Sequence, residues 1–590
     1  MRLNRALVVV LAVGLQTHVA LADVIPANRL PPAGIWAAAG VPGGIPDTSS
    51  WTVINVTATR GLDNTGGTSA VAGINAAIAA AASNTVLYFP PGLYRIDGRI
   101  SLNKNNVVLR GATDASFGRD GATVFDCIGD SNSGVVAGIS SSWSTPTAIQ
   151  GGDIAPGTSV LQLTSAGGYT VGKMVRIQQD NDLTVPVMGV NGGTRLQGQI
   201  TMITAVSGNN ITISPALIFP LKASLNPVAS VNANIRTKMG IENIFFDGSN
   251  KTGPYTVQFN CVQGSWIKGC QSYNNYQYHI YWAFAVQCEF RHNTVWLQRP
   301  IPHGPNMSGL KLDSCSSNLI VDSIFYQQFP SFQINGAYNH TNAASAGNVI
   351  AYNLSTQAFN SQPYAAADYE ASHGPLTQYD LYEGNAGEKF QQDGYYGTAS
   401  YITAVRNLFT ADNPYSAQNN RAVDLCRFSR YFNIVGNVLG NPGKTFVYKT
   451  GVASSPYATR YIYRLGFPGN DNPIFTGTAQ PSLGDYWANW GTAVGANGFQ
   501  ELDLDVEATT LLKGNYNSQD ARIPASESLG TETVPNSYFL SGKPSWFGIL
   551  NWPAYDSTNP NFSYASVPAG YRYINGVDVP GSVSTGSGPP

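Results

Sequence analysis

A recurrence between residues 240 and 440 limits this chain more than any other feature. IENIFFDGSN, WIKGCQSYNN, VQCEFRHNTVW, NLIVDSIF, NVIAYNL, YDLYEGN, YITAVRNLF and YFNIVGNVLG each set a few apolar or β-branched residues before an Asn or Asp. The recurring positions are Asp247, Asn274, Asn293, Asp322, Asn353, Asn385, Asn407 and Asn437, separated by 27, 19, 29, 31, 32, 22 and 30 residues. Spacing of this kind marks a stacked repeat, in which one short unit buries its apolar face only against the next. A coil of a parallel β-helix holds about 20 to 30 residues, whereas a propeller blade needs about 40 to 50 and antiparallel strands. The asparagines are expected to occupy left-handed turn positions and to hydrogen-bond to their stacked copies, a structural role.

Composition agrees with an all-β chain. Of 590 residues only 12% are charged, while Gly (62) and Tyr (31) are abundant, which suits short strands and turns better than long solvated helices. The formal charge of -2 provides no basic field for nucleic acid. The first 22 residues, MRLNRALVVVLAVGLQTHVALA, have the basic start, apolar run and small-residue end of a secretory signal, with cleavage expected after Ala22. The run is too short for a membrane anchor, so a secreted protein, extracellular or periplasmic, is expected. In that setting Cys261, Cys270, Cys288 and Cys315 either form a disulfide or remain buried thiols.

Five regions are expected: a signal peptide (1–22), an N-terminal cap with the first coils (23–150), an inserted β-hairpin subdomain (151–222), the main β-helix with the groove (223–465) and a C-terminal wrapping region (466–590). The Ala-rich VAGINAAIAAAAS reads as one helix, and the alternating SVLQLTSAGGYTVGKMVRIQQD and QITMITAVSGNNITISPAL read as antiparallel hairpins. The tail after about 465, richer in Pro and Trp, is expected to fold back over the solenoid as a cap.

The order of a short helix, an apolar strand ending in PPGLY and a strand ending in LRG resembles the opening of the pectate-lyase-like superfamily, whose fold is a right-handed parallel β-helix with a helix capping the first coil. The block SHGPLTQYDLYEGN, then DGYYGTASYITAVRN, resembles bacterial members related to glycosyl hydrolase family 28, through His373, Gly374, Glu383, Gly384, Asn385, Asp393, Gly397, Ser400, Arg406 and Asn407. AVDLCRFSRYFNIVGNVLGNPG, TTLLKGNYN and KPSWFG extend the likeness to roughly residues 25–565. The NTD, DD, GHG and RIK motifs of polygalacturonases in that family do not occur together here. The resemblance implies an exported enzyme that acts on a polysaccharide in a groove along the solenoid.

Residues one coil apart become neighbours in a stacked solenoid. Glu383 with Arg406, Glu370 with Asp393, and His373 with Tyr395 are each 22 or 23 residues apart. Glycoside hydrolysis needs two carboxyl groups, one protonated, and Asp393 with Glu383 is the first pair, with Asp380, Glu370 and Asp368 as substitutes. Asp393, Glu383, His373 and Arg406 are therefore the catalytic candidates. Tyr395, Tyr379, Glu370, Asp380, Lys389 and Arg427 are the candidates for substrate contact. A polysaccharide lyase acting on a uronic-acid polymer is the alternative, with cations such as Arg406, Arg421, Arg427 and Lys389 neutralising the substrate carboxylate and His373 or Tyr395 as base. No cofactor and no metal are called for, except calcium if the reaction is that of a lyase. A non-catalytic carbohydrate-binding surface protein is the third reading.

Overall fold

A computed structural model describes residues 22–582, apart from 130–133, 183, 186–193, 300–307, 339–341, 344, 359–366, 375, 394–397, 416–419, 450–458 and 468–502. Residues 1–21 of the expected signal (1–22) and the candidate Tyr395 lie outside the described residues.

The chain winds as a parallel β-helix, right-handed as parallel crossover connections are. Each coil gives a strand to a first twelve-stranded sheet, running from Thr52–Asn55 to Leu511–Lys513, and one to a second, running from Thr65–Ser69 to Tyr516–Asn517. The third face begins as a seven-stranded sheet that ends at Phe332–Asn335, then divides into a five-stranded sheet opening with Tyr369–Glu370 and a three-stranded sheet opening with Ser345–Ala346. In the first sheet the middle residue of a triplet points inward: Ile320, Ile350, Ala404 and Ile434 lie in the core with Phe290, Phe325 and Phe390. Their flanking neighbours, such as Leu319 and Val321, point outward and are buried by other chain segments.

The recurring Asn belongs to the turn between the first and second sheets. The left-handed residue of that turn is the one before it: His292, Tyr352, Gly384, Arg406 and Gly436 have φ of 56°, 54°, 66°, 54° and 64°. The asparagine that follows turns inward and joins a ladder. The N–H groups of Asn353, Asn385, Asn407 and Asn437 donate to the Oδ1 of Asn385, Asn407, Asn437 and Asn515 at 2.9–3.0 Å. The expected bonding between copies is present, but the left-handed conformation sits one residue earlier. Asp322 (φ 49°) occupies that earlier position, and Ser323 stands on the ladder, donating to Asn353 Oδ1 at 3.0 Å. Asn274 is not on it either; Cys270 donates to Asn293 Oδ1 at 2.9 Å in that coil.

Helix Val71–Ala80 places Ile74, Ala77 and Ile78 over the open end of the first coils. The inserted segment is a closed six-stranded antiparallel barrel spanning residues 147–232. The solenoid does not end near residue 465: Leu511–Lys513 and Tyr516–Asn517 supply a twelfth strand to each long sheet, and Asn515 extends the ladder. The chain then runs back along the turn edge. Val534 and Tyr555 meet Arg406, Tyr538 meets Glu383, Phe547 packs on Tyr352, and Arg572 reaches Asp322. A second strap, residues 22–45, crosses the outside of the first sheet from Val435 to Val86. All six cysteines are free, buried thiols.

Candidate functional site

The site follows from strand alternation on the third face. Along successive coils Leu310, Phe332, Tyr369, Phe390, Val423 and Tyr463 point into the core. Their neighbours Lys311, Gln333, Glu370, Gln391, Asp424 and Arg464 therefore form an outward row, one residue per coil and about 4.8 Å apart. The rings of Phe332 and Tyr369 stack at 5.1 Å and keep the two sheets of this face in line.

Glu370 closes its strand, and the chain turns at once into Ala371–Gly374. The Ala371 N–H donates to Gln391 O (2.7 Å) and the His373 N–H to Ile334 O (2.8 Å), so the imidazole is held between two coils. Gly374 lies so close to Asn335 that a Cβ would come within 3.2 Å of the Asn335 Cβ. Two residues on, Leu376 packs against Val185 and Leu196 of the barrel, which thus supports the loop from the side. Gln378 extends this contact, its Oε1 accepting from Gln197 of the barrel at 2.8 Å.

Asp393 emerges just past strand Phe390–Gln392 and meets that loop. His373 Nδ1 lies 2.5 Å from Asp393 Oδ2 and 3.7 Å from Glu370 Oε1. Glu370 and Asp393 are buried, and 18% of the His373 side chain is exposed. Burial, and then the Asp393 charge, push the Glu370 carboxyl up to about 8. Burial opposes the charged form of His373, yet Asp393 and Glu370 together raise its pKa well above the ordinary value. Among the described residues, buried Glu370 Oε2 has no hydrogen-bond partner. Burial and the neighbouring carboxyl thus favour the protonated form of Glu370, while the two carboxyl groups favour the charged form of His373. One atom from each of the three side chains lies within 4.8 Å of the others, the donor set of a divalent-cation site. Two of those three donors, His373 Nδ1 and Asp393 Oδ2, are in hydrogen-bond contact with one another at 2.5 Å.

Polar groups continue on both sides of the cluster. Toward the N-terminus, Asn335 Nδ2 donates to Asp313 Oδ1 (2.6 Å) and the Tyr281 hydroxyl to Asp313 Oδ2 (2.7 Å). Toward the C-terminus, Asp424 is gripped by Arg464 (2.6 Å), Lys389 (3.0 Å) and Arg421 (3.5 Å). Burial would raise the Asp424 pKa, but these three cations hold it well below the carboxylate range. Burial lowers Lys389 to about 8.

The structure brings together Asp393, His373 and Glu370, with Lys389 nearby and Arg427 just past the end of strand Arg421–Cys426. It does not bring Glu383 or Arg406 to them. Ten residues separate His373 from Glu383, less than half a coil, so Glu383 ends a strand of the first sheet on another side of the solenoid. There it accepts from the Tyr352 hydroxyl (2.7 Å) and the Tyr538 N–H (2.8 Å) under the returning C-terminal segment, and burial raises its pKa. Arg406 donates to the carbonyls of Pro535 (2.7 Å), Val534 (2.8 Å) and Tyr555 (3.3 Å). Asp380 ends a second ladder, accepting from the Asn348 N–H at 2.8 Å, and Tyr379 stacks on Tyr401 at 4.9 Å. Asp368, a substitute acid, accepts from the Ser355 hydroxyl and the N–H groups of Glu388 and Lys389. Asn335, Asp424 and Arg464 were not singled out from sequence; loops of unequal length separate them from the cluster, and only the strand register aligns them.

Residues 53–151 match a family model described as rhamnogalacturonase A/epimerase, pectate lyase-like. No curated protein sequence matches the chain. Among solved structures, a tailspike protein from a Pseudomonas phage is 14% identical over 65% of this chain and 59% of its own length, with a TM-score of 0.44. An exopolygalacturonase from Thermotoga maritima is 13% identical over 68% of this chain and 74% of its own (TM-score 0.28). A mannuronan C-5 epimerase module from Azotobacter vinelandii is 12% identical over 67% and 90% (TM-score 0.33). Over residues 53–151 the chain carries the pectate-lyase-like pattern of that family model, and its described residues form a right-handed parallel β-helix.

Proposed function

We propose that this protein hydrolyses glycosidic bonds of an extended polysaccharide laid along the third face of the solenoid. The observation that carries the reading is a buried carboxylic acid with its pKa raised to about 8, Glu370, beside a second carboxylate that an imidazolium holds. Glu370 donates its proton to the leaving oxygen as the glycosidic bond breaks. Asp393 acts on the opposite side of that bond as base or nucleophile. His373 orients Asp393 and keeps it anionic. A proton-donating acid and an anionic partner in one cleft are what glycoside hydrolysis requires. The leader of residues 1–22 supports export, so the substrate would be met outside the cytoplasm.

The test is a panel of neutral and acidic glycans offered to the secreted protein and to Glu370→Gln and Asp393→Asn. Hydrolysis yields reducing ends with no new ultraviolet absorbance, and each substitution lowers the rate by about 10²- to 10⁴-fold. An unsaturated, ultraviolet-absorbing product would instead establish β-elimination. One observation favours that second reading: Lys389, Arg421 and Arg464 gather within 3.5 Å of Asp424 on the third face, cations of the kind that neutralise a uronate. Binding of a glycan without any change in its length would sink both readings.

A further inference from the structure

Two amides flank the buried acid on the outward row of the third face. Gln333, in strand Phe332–Asn335, stands one coil to the N-terminal side of Glu370, and Gln391, in strand Phe390–Gln392, one coil to the C-terminal side. Both are buried, yet among the described residues neither Oε1 has a hydrogen-bond partner. The same holds for Asn335 Oδ1, two residues past Gln333 and therefore on the same side of its strand. Their strand neighbours Phe332 and Phe390 lie in the core, while Lys311 and His373 on the outward side keep 16% and 18% of their side chains exposed. The amides thus form the floor of the outer face.

Stacking by itself does not account for these acceptors. On the turn edge, asparagines one coil apart satisfy one another. Gln333, Glu370 and Gln391 repeat at the same interval of about 4.8 Å, but their buried oxygens take no bond from a neighbouring coil. A buried acceptor without a donor costs stability, and an apolar side chain of similar size would remove that cost. The missing donor therefore comes from outside the stack of coils.

A primary amide sets one acceptor beside one donor, which matches two neighbouring hydroxyls of a sugar ring, since each hydroxyl both donates and accepts. It has no charge with which to neutralise a carboxylate. The nearest cations on the row lie one coil further out on each side and already face carboxylates: Lys311 is 3.7 Å from Asp313, and Lys389 is 3.0 Å from Asp424. We infer that Gln333 and Gln391 are specificity-determining residues, each receiving a hydroxyl of the sugar unit on one side of the bond at Glu370, and that these two units are neutral. The place of the bond rests on the hydrolysis proposed above; the reading of hydroxyls on either side of it rests on the amides.

The test is calorimetric titration of the full chain carrying Glu370→Gln, which leaves the polymer uncut, with galactan, galactomannan, xyloglucan and polygalacturonate. The titrations are repeated with Gln333→Met or Gln391→Met added. At least one of the three neutral polymers is expected to bind saturably, and more tightly than polygalacturonate. Each added substitution should weaken that binding at least about tenfold. Methionine fills a similar volume and removes the buried acceptor, so the melting temperature should stay level or rise; an amide that served the fold would make it drop. Absence of binding by every neutral polymer, tighter binding of polygalacturonate, binding that survives either substitution, or a melting temperature that falls with the affinity would overturn the inference. Reducing ends released by the unsubstituted chain judge the hydrolysis separately. Cleavage combined with binding indifferent to the substitutions removes only the role of the amides, whereas binding that depends on them without cleavage removes only the hydrolysis.

Discussion

A carboxylic acid that keeps its proton at neutral pH needs both a dry setting and a nearby negative charge, and Glu370 has both. Its neighbour Asp393 touches the His373 imidazole, so in the proposed reaction one three-residue contact would divide the roles of acid and base. The pH dependence follows. In the proposed hydrolysis Glu370 acts in its protonated form, so the rate should fall as pH rises through about 8, and a pH–rate profile over that range checks it. Glu370→Gln should abolish this alkaline limb, and a limb unchanged by the substitution would remove Glu370 as the acid. The contact among His373, Asp393 and Glu370 was legible in the sequence, because they stand within one coil's length. Glu383 and Arg406 do not join that cluster, for a physical reason. A shift of about ten residues moves a side chain to another face of the coil, and Arg406 instead satisfies three carbonyls of the C-terminal segment.

At the scale of elements, the ladders do two things at once: they satisfy backbone groups inside a tight turn and fix which coil stacks on which. Their repetition was plain in the sequence, but the left-handed residue one place earlier was not, since Arg, Tyr, His and Asp occupy it as well as Gly. Asp380 is the informative exception, a carboxyl in the place its partner ladder fills with Asn318 and Asn348. Burial raises it from 3.8 to about 7. The folded protein keeps this proton up to about pH 7, whereas the unfolded chain gives it up near pH 4. Stability from this group is therefore complete below about pH 4 and is lost as pH rises toward 7. Asp380→Asn keeps the accepting oxygen and removes the charge. The variant should match the parent near pH 4 and exceed it at pH 8 by up to about 4 kcal/mol, measured by denaturant unfolding at both pH values.

At the scale of the whole molecule, the outward apolar rows of the first sheet demand a cover, and the two straps provide it. The C-terminal one is fastened by Arg406, whose guanidinium meets the carbonyls of Val534, Pro535 and Tyr555. Arg406→Ala leaves those acceptors without their donor and should cost about 2–4 kcal/mol. Limited proteolysis should then cut within residues 534–582 earlier than in the parent, while glycan turnover per folded molecule stays within about twofold, because the third face is untouched. A parent-like digestion pattern would show that the strap is held by its apolar contacts alone. The overall winding could be read from the repeat, but the twelfth coil could not, because a long intervening segment separates Val438–Leu439 from Leu511–Lys513.

The barrel of residues 147–232 leaves the solenoid and rejoins it through one doorway, where Trp143 and Asn232 bridge and the Ser144 N–H donates to Val231 O at 2.9 Å. A short tether in place of the whole module would let the coils on either side meet without rewinding. Such a module could be exchanged as one piece, changing the wall beside Leu376 and Gln378 while the coils beneath keep their register.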